Sequence, residues 1–139
     1  MSASNLFLRQ RLATCHANLT EASHRLARVN TLADLKLARQ VSIPAELRAV
    51  IRSDSTYRRF AGLCTQKAQE LGKDLLIPLS QLVQVQGEPA DVFLARSTAE
   101  AGKVIRTLGF LAGDEPQVHA QLLREVARLQ SQHRKHAAA

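Results

Sequence analysis

The chain has 139 residues, a formal net charge of +7 and an apolar content of 45%, with four Phe, one Tyr and no Trp. That length suits one domain able to bury about two thirds of its unfolded surface without metal or disulfide help, so a single helical domain over 1–139 is expected. Two isolated cysteines, Cys15 and Cys64, exclude a disulfide framework and read as buried thiols of a reducing compartment; no apolar run reaches the roughly 18 residues of a membrane span.

The first helix is read from about Ser4 to Val29. Leu8, Leu12, Cys15, Leu19, Ala22, Leu26 and Val29 recur at steps of four and three, which places them on one helical face. Ala13 and Ala27 widen that face, a breadth that suits a globular bundle better than a narrow two-stranded seam. The face must be buried by later parts of the chain or by another molecule. Arg9 and Arg11 interrupt any secretory apolar core here. The Arg and Ser content, with Glu21 the sole acid before Asp34, also fits a transit peptide, but the regular repeat favours a core helix and a cytoplasmic protein.

Thr31 is an N-cap candidate for a short second helix, Leu32 to Val41, with Asp34 in its first turn. Ser42-Ile43-Pro44 stops it, and Pro44 suits the first turn of a third helix that ends at Arg52 and turns Leu47, Val50 and Ile51 inward. A fourth helix, about Thr56 to Leu71, buries Tyr57, Phe60, Cys64, Ala68 and Leu71, and Gly72 is expected to end it in a left-handed conformation. Asp74 or Pro78 opens a fifth, with Leu75, Leu76, Leu79, Leu82 and Val83 on one face. The alternation in Leu82–Gln86 also suits a strand, but a lone strand has no partner, so helix is preferred. Gly87 closes that element, and Gly87-Glu88-Pro89 is the best hinge candidate.

The sixth helix runs from Glu88-Pro89 to about Ala112, with Phe93, Ser97, Ala101, Val104, Leu108 and Leu111 inside. Gly113 ends it. Asp114 is expected to cap the last helix, with Pro116 in its first turn and Gln117 completing a capping box. Val118, Leu122, Val126 and Leu129 face inward, and residues 134–139 form a frayed tail. The expected fold is an all-α bundle of about six to seven helices.

The charge is uneven. Residues 1–60 carry +6, residues 61–116 carry −2 and residues 117–139 carry +3. A basic head and tail around an acidic middle suggest a polyanion-binding surface. On the last helix Arg124, Arg128 and Lys135 share a side away from the apolar stripe. On the sixth, Arg96, Lys103 and Arg106 line the outer face, with Ala99 and Gly102 between them and Glu100 placed to pair with Arg96. Arginine grips phosphate with two donors, and short neighbours let a backbone approach. With so few aromatic platforms, binding should follow backbone and shape rather than sequence.

The third and fourth helices suggest a helix-turn-helix, which would put Thr56, Arg58 and Arg59 at the start of a recognition helix. The Arg-x4-His pairs Arg11/His16 and Arg128/His133 match a spacing found in helical ribonucleases of the HEPN type. About 1.5 such matches are expected by chance, and Leu12 and Leu129 stand where that family usually has a polar residue. His133 and His136 lack the paired cysteines of a zinc site. No cofactor, metal or catalytic set is expected.

These readings converge on a non-enzymatic, cytoplasmic helical protein that binds RNA or DNA through its phosphates with little sequence preference. In size, helicity and charge it is similar to small helical subunits of RNA-guided or mobile-element complexes, which implies an accessory subunit with protein partners; no membrane is expected. The alternative is a helical protein–protein adaptor or oligomerisation module that docks through its first helix; the third is a HEPN-like ribonuclease.

Overall fold

The computed structural model describes residues 3–138, with side-chain surroundings from Leu6 onward. Among the described residues there are seven α-helices and no strand. They are α1 (Ala3–Leu26), α2 (Leu32–Ala38), α3 (Arg48–Arg52), α4 (Ser55–Leu75), α5 (Ile77–Ser80), α6 (Ala90–Leu108) and α7 (Pro116–His136), with 3₁₀ turns at Ala45–Leu47 and Gly109–Leu111. The all-α expectation holds. Contacts divide the chain into two units, Met1–Lys67 and Ala68–Ala139, and the division falls inside α4.

In the first unit, α1 has no Gly or Pro to interrupt it. Its mid-helix hydroxyls stay compatible with the helix by donating to the carbonyl four residues back: Thr14 to Gln10 at 3.1 Å, Thr20 to His16 at 2.9 Å, Ser23 to Leu19 at 2.8 Å. Cys15, Leu19, Ala22, Leu26 and Val29 are buried as the spacing requires, but the stripe is not covered over its whole length. Leu8 is 40% exposed, Leu6 and Phe7 more than half, and Ala13 and Ala27 face solvent. The α1 helix has 24 residues and extends about 36 Å; α2 packs on it, and Glu46 and Asp54 meet it at Arg11 and His16.

Thr31 caps α2 as expected, its hydroxyl accepting the Asp34 amide at 3.1 Å. The helix stops at Ala38, short of Val41. Pro44 precedes the 3₁₀ turn that leads into α3, where Leu47 and Ile51 are buried but Val50 is exposed. Phe60 and Cys64 of α4 are also buried.

In the second unit, α6 and α7 form the most extensive helix pair, and α5 packs on both. The expected α6 stripe of Phe93, Ser97, Ala101, Val104, Leu108 and Leu111 is buried at every position, as are Val118, Leu122, Val126 and Leu129 of α7. Burial of each large side chain stabilises the fold by about 1.5–3 kcal/mol. His133 extends the α7 stripe by one more turn and is buried too.

Several local expectations are corrected. Gly72 does not end α4; the helix continues to Leu75, and Gly87 (φ 82°) is the one left-handed glycine among the described residues. At Gly72 the requirement is close approach, because a Cβ there would overlap the Leu122 side chain. Residues 82–86 are neither helix nor strand. Leu82 and Gln84 are half-buried while Val83 and Val85 point to solvent, the period-two pattern of an extended chain. With no neighbouring strand, Gln84 supplies pairing through its side chain: Nε2 donates to the Glu88 and Ala138 carbonyls at 2.7 and 2.8 Å, and Oε1 accepts the Ala138 amide at 2.7 Å. Glu115 rather than Asp114 occupies the N-cap of α7, and its side chain makes no capping bond. Arg134–His136 are helical rather than frayed, Ala137 is extended, and Ala139 lies outside the described residues.

Candidate nucleic-acid interface

Counting charge by unit changes the sequence picture. Residues 1–67 hold eleven Lys/Arg against four Asp/Glu, a net of +7; residues 68–139 hold eight against eight. The entire formal excess lies in the first unit. The acidic middle and basic tail read from the sequence largely cancel within the second.

Of the six cations singled out on α6 and α7, two are engaged. Arg96 is held by Glu88, with Nε and Nη2 each 2.8 Å from a carboxylate oxygen, and its Nη2 also donates to the Val83 carbonyl at 3.0 Å. It lies over the Phe93 ring. The expected Glu100 pairing gives way because the turn at Gly87 brings Glu88 into bidentate reach, and Arg96 holds the Glu88 carboxyl below its usual range. Arg128 is bound by Glu125, with Nε 3.0 and 3.1 Å from the two oxygens, which lowers the Glu125 carboxyl likewise. Lys103, Arg106, Arg124 and Lys135 are exposed and have no ion-pair partner among the described residues.

The first unit places Arg58 and Arg59 in the first turns of α4, both exposed. Arg58 donates to the Ser53 carbonyl at 3.0 Å and so clasps the α3–α4 turn, while Arg59 has no ion-pair partner among the described residues. Asp54 closes the same turn: its Oδ1 accepts the Thr56 amide at 2.9 Å and its Oδ2 lies 3.0 Å from His16 Nε2. The Thr56 amide is the main cause of an Asp54 carboxyl below its usual range, with His16 adding to it. The first helix of the suggested helix-turn-helix is short, the 3₁₀ turn Ala45–Leu47 running directly into the five residues of α3.

The Arg-x4-His pairs are each occupied structurally. Arg11 pairs with Glu46 and lies over the Phe7 ring, and His16 pairs with Asp54. His133 is buried with Nδ1 2.6 Å from Ser97 Oγ and its ring edge-on to Phe93 at 5.5 Å. Burial pulls the His133 ring below its ordinary pKa, and a hydrogen bond with the Leu79 backbone offsets this in part. The ring is therefore a core group hydrogen-bonded to Ser97 through Nδ1. Among the described residues no group of three or more His, Cys, Asp or Glu is placed to hold a metal ion, and no helix is long and apolar enough to cross a membrane.

Sequence reasoning missed two further arginines. Arg48 and Arg52 stand four apart on α3, and both line an open cleft of about 270 Å³ with Val41, Ile43, Ile51 and Tyr57. The available signal was their i, i+4 spacing, but Val41 and Ile43 come from the extended chain after α2, whose path has no sequence signature. Comparison with known proteins gives no match: no protein-family model, no curated protein and no solved structure resembles this chain closely enough to indicate a relationship.

Proposed function

We propose that this is a cytoplasmic, non-enzymatic protein that binds nucleic acid through its phosphates, as an accessory subunit of a nucleoprotein complex. The observation that carries this is the segregation of charge, with the whole +7 in residues 1–67. Two of the four carboxylates there, Glu46 and Asp54, are taken up by Arg11 and His16. An excess of this kind attracts polyanions by counterion release, which is strong at low salt and indifferent to sequence. Arg58 and Arg59 belong to this basic unit, while Lys103, Arg106, Arg124 and Lys135 supply secondary contacts from a unit without net charge. The test is a titration of the protein with RNA and DNA oligonucleotides at several salt concentrations. A steep fall of affinity with salt is expected; affinity that is absent at low salt, or flat with salt, refutes the proposal.

One observation favours the adaptor as second reading. Leu6, Phe7 and Leu8 are exposed together at the start of α1, and a protein partner is a chemically sensible cover for them. The adaptor predicts salt-insensitive association that is lost on polar substitution of Phe7.

A further inference from the structure

The cleft beside α3 combines features that a purely phosphate-binding surface does not need. Arg48 and Arg52 are exposed at its rim, without an ion-pair partner among the described residues. The carboxylates nearest them in sequence, Glu46 and Asp54, are committed to Arg11 and His16. The cleft is also lined by the half-buried Tyr57, the one tyrosine of the sequence. No carboxylate lines the cleft, and its remaining residues are the half-buried Val41 and Ile43 and the buried Ile51. At about 270 Å³ it falls just below the roughly 300–1,000 Å³ of clefts that enclose a drug-sized molecule. That leaves room for one planar ring system and not for a folded element.

We infer that this cleft takes one unpaired nucleotide of a single strand, with the base against Tyr57, Val41 and Ile43 and the flanking phosphates on Arg48 and Arg52. The inference rests on the nucleic-acid reading above and narrows it. An aromatic face beside a basic rim is the arrangement by which single strands are held without sequence preference. A base inside a duplex is stacked on both faces and cannot enter, so single strands are selected over duplexes. Two arginines four residues apart on one helix suit successive phosphates, each gripped by a planar fork.

The protein carries its own reporter. With one Tyr and no Trp, intrinsic tyrosine emission comes from Tyr57 alone. Titration with a short single-stranded oligonucleotide should quench that emission, a blunt duplex of equal length should not, and adenosine monophosphate at high concentration should quench it weakly. Tyr57→Leu, which keeps the cleft filled, should weaken single-strand binding between about 5- and 150-fold, the range of one lost base–aromatic stack, as read by anisotropy of a labelled strand. Tyr57→Phe should bind like the wild type. If Tyr57→Leu does not fold, the double variant Arg48→Gln/Arg52→Gln, altered only at exposed positions, should flatten the salt slope on single strands by about 1.4 units. Steep salt-dependent binding with unchanged Tyr57 emission would overturn the cleft and leave the phosphate reading standing. Quenching by the mononucleotide without binding of any polynucleotide would overturn both the inference and the nucleic-acid reading. Equal binding of single strand and duplex would also overturn the inference.

Discussion

The two units of this chain solve different problems with similar lengths of sequence. Residues 68–139 balance eight cations with eight anions, tie Arg96 and Arg128 to carboxylates, and bury an unbroken stripe on α6 and another on α7. Residues 1–67 carry all of the net charge, build from shorter pieces after α1, and leave the apolar start of α1 in solvent. Self-repulsion of like charge weakens a compact state, so a unit with +7 gives up stability that the neutral unit keeps. The difference suggests that the second unit is built for persistence and the first for contact.

The largest effect expected from this contrast is in the α6 core. Leu108 has no solvent exposure, and Leu108→Ala should cost about 2–5 kcal/mol in chemical denaturation. A loss below about 1 kcal/mol would show that the second unit is less well packed than described. Next comes the buried polar pair. Ser97→Ala leaves His133 Nδ1 without its hydrogen-bond partner and should cost about 1–3 kcal/mol. Because the folded His133 pKa is depressed, its contribution is fully present above the unfolded value near 6.5 and is lost as pH falls through the folded one. Denaturation midpoints should therefore drop as pH falls below about 6.5, and His133→Leu should flatten that dependence. A His133→Leu variant as pH-sensitive as the wild type would assign the effect to other groups.

Charge removal sharpens the functional side of the contrast. Alanine at Arg48, Arg52 and Arg59 should weaken nucleic-acid binding more than alanine at Arg124, Arg128 and Lys135, with a loss on the order of tenfold and a single-strand salt slope flatter by about two units. The α7 set should have the smaller effect because Arg128 is already held by Glu125. The same titrations with Arg96, Lys103 and Arg106 replaced should again show the smaller loss, and the reverse ranking would return the interface to the second unit. The smallest effect is expected at Leu8, where Leu8→Ala should change stability by less than about 0.5 kcal/mol. A larger loss in the isolated protein would mean that the start of α1 is covered in solution.

Legibility in the sequence tracked the regularity of the local pattern. The α6 stripe could be read residue by residue because nineteen helical residues repeat one period without a break, and Thr31 could be read as a cap because its Asp34 amide is three residues away. Leu82–Gln86 misled because its leucines and valines satisfy both periods; what decides for the extended form is Gln84 reaching Glu88 and Ala138, and the second lies 54 residues on. Arg96 has acids at both +4 and −8, and only the turn at Gly87 shows which one it reaches. His133 was readable as the next step after Leu129 in the α7 stripe, yet a histidine attracts a chemical reading where position alone says core. The Arg48–Arg52–Tyr57 cleft needed the path of residues 41–43, which no periodicity encodes.

The double hydrogen bond between the Gln84 amide and the Ala138 backbone has a consequence in time rather than in energy. A side-chain amide offers the same donor and acceptor as a peptide unit, so Ala138 is paired as though it lay beside a strand although α7 has already ended. Its amide proton is therefore released to solvent when the Gln84 segment lifts away, and deuterium uptake at that one position records how often the loop opens. Exchange of the Gln84 nitrogen for oxygen, as in Gln84→Glu or by deamidation, would set a carboxylate against the Glu88 and Ala138 carbonyls. The clasp would lose its donating half, and uptake at Ala138 would rise toward that of an unprotected amide.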